Sequence, residues 1–372
     1  MKLKVLVIDD SALYRQLVKN VLRNIPDVEV VGVACTGVEA LAKISELQPT
    51  LLTLDVQMPD MNGLELLLEI KKRRMHVKAI MLSSLTARGA QVTTDALLAG
   101  AFDAIQKPSG SDADSNRTLL TSLLSEKITA FMESISATMP KRKEVAIDAR
   151  LNRASHDDLS ASKSDVDSKG SIVKTGLATR RIDAVVIGTS TGGPVALREL
   201  IPKLPTSMGV PVFVVQHMPH GYTKSLAARI GEISQIPVRE AANGMLVEPN
   251  QAFIAPGGLH MGIQQQRGKL VIQTSDAPPE HNCRPAVDYT LRSAVSIYGG
   301  GLLGVILTGM GRDGAEGCRL VKQRGGSVLA QHPDGCIVYG MPKVVVEEQL
   351  ADRVVPIEKM ASWIVRMIEK SR

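Results

Sequence analysis

Two sets of residues in this chain have the types and spacing to do chemistry. The first is acidic: Asp9 and Asp10 close the apolar run "KVLVID" (4–9), and Asp55 closes "LLTLD" (51–55). Carboxylates gathered at strand ends repel one another unless a hard divalent cation sits among them, and Mg²⁺ suits such a site. Ser83 ends "KAIMLSS" and Lys107 ends "AFDAIQK". A hydroxyl and an ammonium there can hold the oxygens of a phosphoryl group. Asp55, followed by the turn signal "DVQMPDMNG", is the candidate phosphoryl acceptor.

The second set begins with "DAVVIGTSTGGP" (183–194), an apolar run, a Gly-rich turn and a Pro able to open a helix. A dinucleotide fingerprint needs Gly where Ser190 stands, and a P-loop needs Gly-Lys-Ser/Thr, which is absent. Gly188-x-Ser190-x-Gly192 fits a nucleophile elbow, although a serine that caps a helix fits the local sequence as well. A serine hydroxyl needs a base and a group to orient that base. His217 follows the strand "PVFVVQ" and falls at the same sheet edge, with His220 a loop-borne rival. Asp313 lies in the turn of "LLGVILTGMGRDGAEG", placed either to orient a histidine or to cap a helix; Asp276 and Asp288 are weaker candidates. The chain order Ser, His, Asp differs from the Ser, Asp, His order of α/β-hydrolases.

These positions depend on the elements that carry them. Over the first 108 residues, apolar runs alternate with helical stretches such as "LYRQLVKNVLRN" and "NGLELLLEIKKR", the pattern of a parallel sheet covered on both faces. A further helix is expected at 117–135. From about 136 to 180 the chain is rich in Ser, Asp and Lys without periodicity, which reads as a flexible tether. The alternation resumes at Ile182 with "AVVIGTS", "PVFVVQH", "QAFIAP", "KLVIQT", "LLGVILTG" and "GSVLAQ".

Composition bounds the function. The 372 residues are 44% hydrophobic and 22% charged, ordinary for a globular chain with room for two cores. No apolar run approaches the roughly 18–20 residues of a membrane span, and two aspartates end the N-terminal run too soon for a signal peptide. Four cysteines without metal-type spacing suit a reducing cytoplasm. The net charge of +6 comes without aromatic–basic interleaving, so nucleic acid is not an expected partner.

On the quoted motifs, residues 1–125 resemble the receiver domain of two-component response regulators. The resemblance implies Asp55 as phospho-acceptor, Asp9 and Asp10 with the Gln57 backbone on Mg²⁺, and Ser83 and Lys107 as switch residues. Receivers often carry an aromatic three residues before the lysine; here that position is Ala104, with Phe102 nearby. With "IGTSTGGP", "QHMPHGYT", "FIAPGGLHM", "CRPAVDYTLRSAV" and "LTGMGRDGA", residues 182–370 resemble the catalytic domain of chemotaxis protein-glutamate methylesterases, the CheB family. Cys283 stands where that family commonly has His.

The resemblance implies the following. The fold class is α/β: an N-terminal doubly wound, flavodoxin-like receiver domain (1–125), a helix and flexible polar linker (126–181), and a C-terminal Rossmann-like α/β domain with a parallel sheet (182–372). Ser190, His217 and Asp313 form the triad, with oxyanion donors at the Thr191 and Met310 backbone and no cofactor in the catalytic domain. The reaction is hydrolysis of methyl-glutamate esters, with glutamine deamidation at the same site. The substrates are the cytoplasmic domains of methyl-accepting chemoreceptors, and the phosphodonor is a chemotaxis histidine kinase. A receiver docked over the Ser190 edge, released by phosphorylation, is the expected switch.

Overall fold

The short apolar runs that the sequence marks as strands assemble into two separate parallel sheets. The computed structural model describes residues 2–84, 86–138 and 181–372; the expected tether falls outside them. The first unit runs β1 (Leu3–Ile8), α1 (Ala12–Arg23), β2 (Val28–Ala34), α2 (Gly37–Leu47), β3 (Leu51–Asp55), α3 (Gly63–Lys72), β4 (Lys78–Ser83), α4 (Ala87–Ala99), β5 (Asp103–Gln106) and α5 (Ala113–Thr138). Its sheet has the order β2-β1-β3-β4-β5, with every pairing parallel. All five residues of β3 are buried, as a strand covered on both faces requires. Side chains start the helices: Ser11 caps α1, and Asn62 with Glu65 forms a capping box on α3. Helix α5 begins earlier and ends later than the expected 117–135.

The second unit contains β6 (Ala184–Thr189), α6 (Gly193–Leu200), β7 (Val212–Gln216), α7 (Tyr222–Ile233), β8 (Val238–Glu240), β9 (Ala252–Ile254), β10 (His260–Gln266) and β11 (Lys269–Ser275). It continues through α8 (Val287–Tyr298), β12 (Leu302–Ile306), α9 (Ala315–Gln323), β13 (Ser327–Gln331), α10 (Met341–Glu347), β14 (Arg353–Val355) and α11 (Ile357–Lys370). The sheet order β14-β13-β12-β6-β7-β9-β8 is parallel throughout. "KLVIQT", expected within this alternation, instead pairs antiparallel with β10. The hairpin turns at Arg267 and Gly268, both with positive φ (50° and 78°), as a two-residue turn between twisted strands requires.

Strand order reverses direction between β1 and β3 in the first sheet and between β12 and β6 in the second. Such crossovers leave a crevice at the strand C-termini, where ligands bind in open parallel sheets. Asp9 and Asp55 flank the first crevice, and Ser190 and Asp313 flank the second. The two units are packed together: α4 lies against α6 and α7.

Candidate active site

In the first crevice, Lys107 Nζ bridges Asp9 Oδ2 at 2.7 Å and Asp55 Oδ2 at 2.8 Å. Asp9 is fully buried and Asp55 nearly so. Burial pushes the Asp55 carboxyl up despite the opposing Lys107 bond, and the Asp9 charge adds to the rise. Carboxylate oxygens of Asp9, Asp10 and Asp55 lie within 4.8 Å of one another, an all-oxygen donor set that fits a hard divalent cation. The Gln57 amide donates to Asp55 Oδ1 at 3.3 Å, so its residue borders the same pocket. The Ser83 hydroxyl donates to the Ser84 carbonyl, and the Lys107 amide bonds the Ser83 carbonyl at 2.8 Å, tying the ends of β4 and β5. Phe102 does not replace the missing aromatic: it is 2% exposed and meets Phe131 of α5 edge-on in the interior.

In the second crevice, β6 and β7 pair Thr189 with Gln216, which brings Ser190 and His217 to one edge. The His217 amide donates to the Thr189 carbonyl at 3.1 Å, and the Gln216 side chain donates to the Ser190 carbonyl at 3.0 Å. Ser190 does not cap α6: its cap is Gly192, with φ 81° and no side-chain bond. The small neighbours are required by space, since a Cβ on Gly193 would lie 1.9 Å from Gln216 Oε1 and one on Gly309 would lie 2.8 Å from Ser190 Cβ.

Asp313 meets His217 and does not cap the helix that follows it, whose cap is Gly314. Its Oδ2 meets His217 Nε2 at 2.7 Å, and its carboxylate accepts the amides of Val287 (2.6 Å) and Asp288 (2.9 Å) at the start of α8. It therefore caps α8 rather than the helix that follows it, α9, and the positive end of α8 favours the anion. Burial opposes ionisation of Asp313, but the His217 bond and these amides hold its carboxyl below the usual range. Burial likewise works against charge on His217. The bond to Asp313 and the neighbouring Cys283 outweigh it, raising the imidazole to about 10. Nε2 is thus the nitrogen that keeps its proton, and Nδ1 is the basic one.

Nδ1 does not meet Ser190. Its hydrogen-bond neighbour among the described residues is Cys283 Sγ, at 3.4 Å, and the Ser190 hydroxyl makes no hydrogen bond among them. His220 takes no part in this cluster. The Thr191 and Met310 amides, the expected oxyanion donors, are not engaged as donors by described residues.

Asp288, a weaker candidate for the orienting acid, does not meet His217, and several further contributors were not foreseen. Asp288 pairs with His281 at 3.0 Å and accepts the Gly317 amide at 2.7 Å, bracing α8 against α9 behind Asp313. Its carboxyl is raised by burial and by the Asp313 charge. The "CRPAVD" motif held that signal, since it contains both Cys283 and Asp288. Asp103, from β5 of the first unit, accepts a hydrogen bond from the Thr191 hydroxyl and pairs with Lys127 at 3.1 Å. Met310, Ile337 and Val338 join the apolar cluster that includes Leu124, Ile128 and Phe131 of α5. Arg229 of α7 grips Asp95 of α4 through two bonds of 2.8 and 2.9 Å, and Arg198 bonds the Leu98 carbonyl.

The CheB methylesterase family matches residues 185–364, and the response regulator receiver domain matches residues 5–117. A protein-glutamate methylesterase/protein-glutamine glutaminase of Thermotoga maritima is 41% identical over 366 residues, 98% of each chain. The chain belongs to the CheB methylesterase family. A protein of the same description from Pyrococcus abyssi is 39% identical over 371 residues, all of this chain and 95% of its own. The solved Thermotoga maritima CheB methylesterase catalytic domain is 46% identical, covering 50% of this chain and 98% of that one, with a TM-score of 0.49. A family of this architecture couples a hydrolase to a phospho-accepting receiver. Among the described residues, no helix is long and apolar enough to cross a membrane.

Proposed function

We propose that this chain is a receiver-controlled protein-glutamate methylesterase, with glutaminase activity at the same site. Its substrates are the cytoplasmic domains of methyl-accepting chemoreceptors. The observation that carries the reading is the His217–Asp313 pair, 2.7 Å apart at the crossover of a parallel sheet, on the edge that presents Ser190. Ser190 Oγ attacks the ester carbonyl as Nδ1 of His217 takes its proton. Asp313, held ionised by α8, keeps the other nitrogen protonated and stabilises the imidazolium. The free amides of Thr191 and Met310 receive the oxyanion; one such donor contributes on the order of 10²–10³ in kcat. Methanol leaves with the proton from His217, and water repeats the sequence on the acyl-enzyme. An amide enters the same path and loses ammonia, which is the glutaminase reaction.

The receiver is docked at the oxyanion side of this edge. Asp103 accepts the Thr191 hydroxyl, and Met310 joins the apolar cluster that includes residues of α5, so both oxyanion residues border the regulatory unit. Asp55 is the phosphoryl acceptor, with a chemotaxis histidine kinase as donor. Asp9, Asp10, Asp55 and the Gln57 backbone would hold Mg²⁺, which when bound neutralises charge on the incoming phosphoryl oxygens. Lys107 then exchanges its carboxylate partners for a phosphoryl oxygen, and Ser83 turns its hydroxyl to another. Both residues end strands at the docking face, so their movement weakens it.

The test is methanol release from methylated receptor membranes by the parent and Ser190→Ala, with and without a small phosphodonor and Mg²⁺. Release that requires Ser190 and rises with phosphodonor supports both parts. Release indifferent to Ser190 refutes the triad, and release indifferent to phosphodonor refutes the docking switch.

A further inference from the structure

Three of the four cysteines are built to keep their protons. Cys318 is fully buried, and burial with the nearby Asp288 and Asp313 charges pushes its thiol up. Burial raises Cys336 to about 12. Cys35 is exposed, and its bond to Glu39 pushes it up. Cys283 differs in what it touches. Its Sγ lies 3.4 Å from Nδ1 of His217, whose Nε2 is fixed by Asp313 at 2.7 Å. Sulfur, imidazole and carboxylate thus meet in series, and a thiol beside a carboxylate-held histidine is activated as the thiolate of an ion pair. Cys283 is also half-buried rather than sealed. It lines a cavity of about 380 Å³ with His217, Tyr222, Ala104 and Lys127, large enough for a small reagent.

We propose that Cys283 is a reactive thiol that takes low-molecular-weight disulfides into the active site, and that the resulting mixed disulfide stops ester hydrolysis. In this step the Cys283 proton goes to solvent while the His217 imidazolium holds the thiolate, which attacks one sulfur of the disulfide. A new S–S bond forms as the old one breaks, and the departing thiolate takes a proton from solvent. A thiol reductant reverses the exchange. Hydrolysis stops because Nδ1 is the nitrogen that must receive the Ser190 proton, and the adduct occupies its approach. The inference rests on the His217–Asp313 pair and does not require Ser190 to be the nucleophile.

The experiment treats the full chain with a pyridyl disulfide, follows thiopyridone by absorbance and locates the adduct by peptide mass. Near pH 6 an ordinary thiol is under about 1% ionised. Cys283 is expected to react at least about tenfold faster there than Cys35, the exposed thiol that lies beside Glu39 and not beside an imidazole. His217→Ala should bring it down to the Cys35 rate, and Cys283→Ser should remove the fast phase. Methanol release should fall in proportion to the adduct and return with dithiothreitol. Ser190→Ala should label like the parent while losing hydrolysis, which separates failure of this inference from failure of the esterase reading. Equal rates at Cys283 and Cys35, a fast phase that survives His217→Ala, or full hydrolysis by the adduct would each overturn it.

Discussion

Asp103→Ala tests whether the receiver restrains the catalytic edge through the contact that the structure shows. Asp103 spans the two units: its carboxylate accepts the Thr191 hydroxyl on one side and pairs with Lys127, 3.1 Å away, on the other. Its side chain is only 17% exposed, so water screens the bond weakly. A hydrogen bond to a charged group contributes about 1.5–3 kcal/mol, and every 1.4 kcal/mol or so is tenfold in an equilibrium. Water entering the vacated space restores part of the bond to Thr191. The lower end therefore applies, and undocking should become about tenfold more favourable.

Basal methanol release, measured without phosphodonor, should rise by that factor, up to the ceiling set by a fully undocked enzyme. Asp103→Asn keeps the shape and removes the charge, so it should rise less. Arg229→Ala is the internal comparison. Its pair with Asp95 is bidentate, but the arginine side chain is 40% exposed, and surface pairs contribute about 0–1 kcal/mol. Its effect should stay below about fivefold. A basal rate within twofold of the parent in Asp103→Ala, with phosphodonor stimulation intact, would refute docking through Thr191.

Four further outcomes follow from the same geometry. Because the Asp313 bond, together with Cys283, raises His217 to about 10, hydrolysis by the docked enzyme should climb with pH above the unperturbed 6.5. Asp313→Asn should move that ascending limb of kcat/KM downward and lower kcat by about 10⁴; an unmoved limb would show that Asp313 does not set the base. The stability that His217 gains from the pair is present below 6.5 and lost as pH rises through about 10, which thermal unfolding against pH would detect. Asp55→Asn, or chelation of Mg²⁺, should abolish stimulation by a small phosphodonor, read as the ratio of methanol release with and without it. Gly309→Ala places a methyl 2.8 Å from Ser190 Cβ and 2.5 Å from Met341 Sδ, and should cost about 1–3 kcal/mol with a large loss of hydrolysis, checked by Tm and methanol release together.

What could be read in the sequence is what strands and their ends determine. Asp9, Asp55, Ser190 and His217 each terminate an apolar run, and parallel strands bring such ends to one edge whatever the helices do. Asp313 was legible as a carboxylate at a strand end, but its partners were not: the amides it accepts open α8, remote in sequence, and α9, the helix that follows it, is capped by Gly314. The β10–β11 hairpin was harder, because "HMGIQQQ" is apolar for half its length and polar for the rest. Asp103, Tyr222 and Arg229 carried no signal at all. Their roles come from how one unit sits on the other, and residue periodicity within a unit is silent on that. The tether that separates the units in sequence falls outside the described residues.

That placement also explains how one phosphoryl group can govern a distant ester site. The elements that end in Ser83 and Lys107 are β4 and the strand leading to Lys107, β5; β5 also supplies Asp103, the residue bonded to Thr191. Beside them Tyr222 opens α7, five residues after His217. Burial pushes its hydroxyl up, and hydrogen bonding to the hydroxyls of Ser83 and Thr93 works against that rise, which places the ring of the catalytic unit beside the end of β4 and α4 of the receiver. A tenfold change in the docking equilibrium needs only about 1.4 kcal/mol. Drawing Ser83 and Lys107 towards Asp55 would act on the strand ends that meet Tyr222 and that carry the Asp103 bond to Thr191.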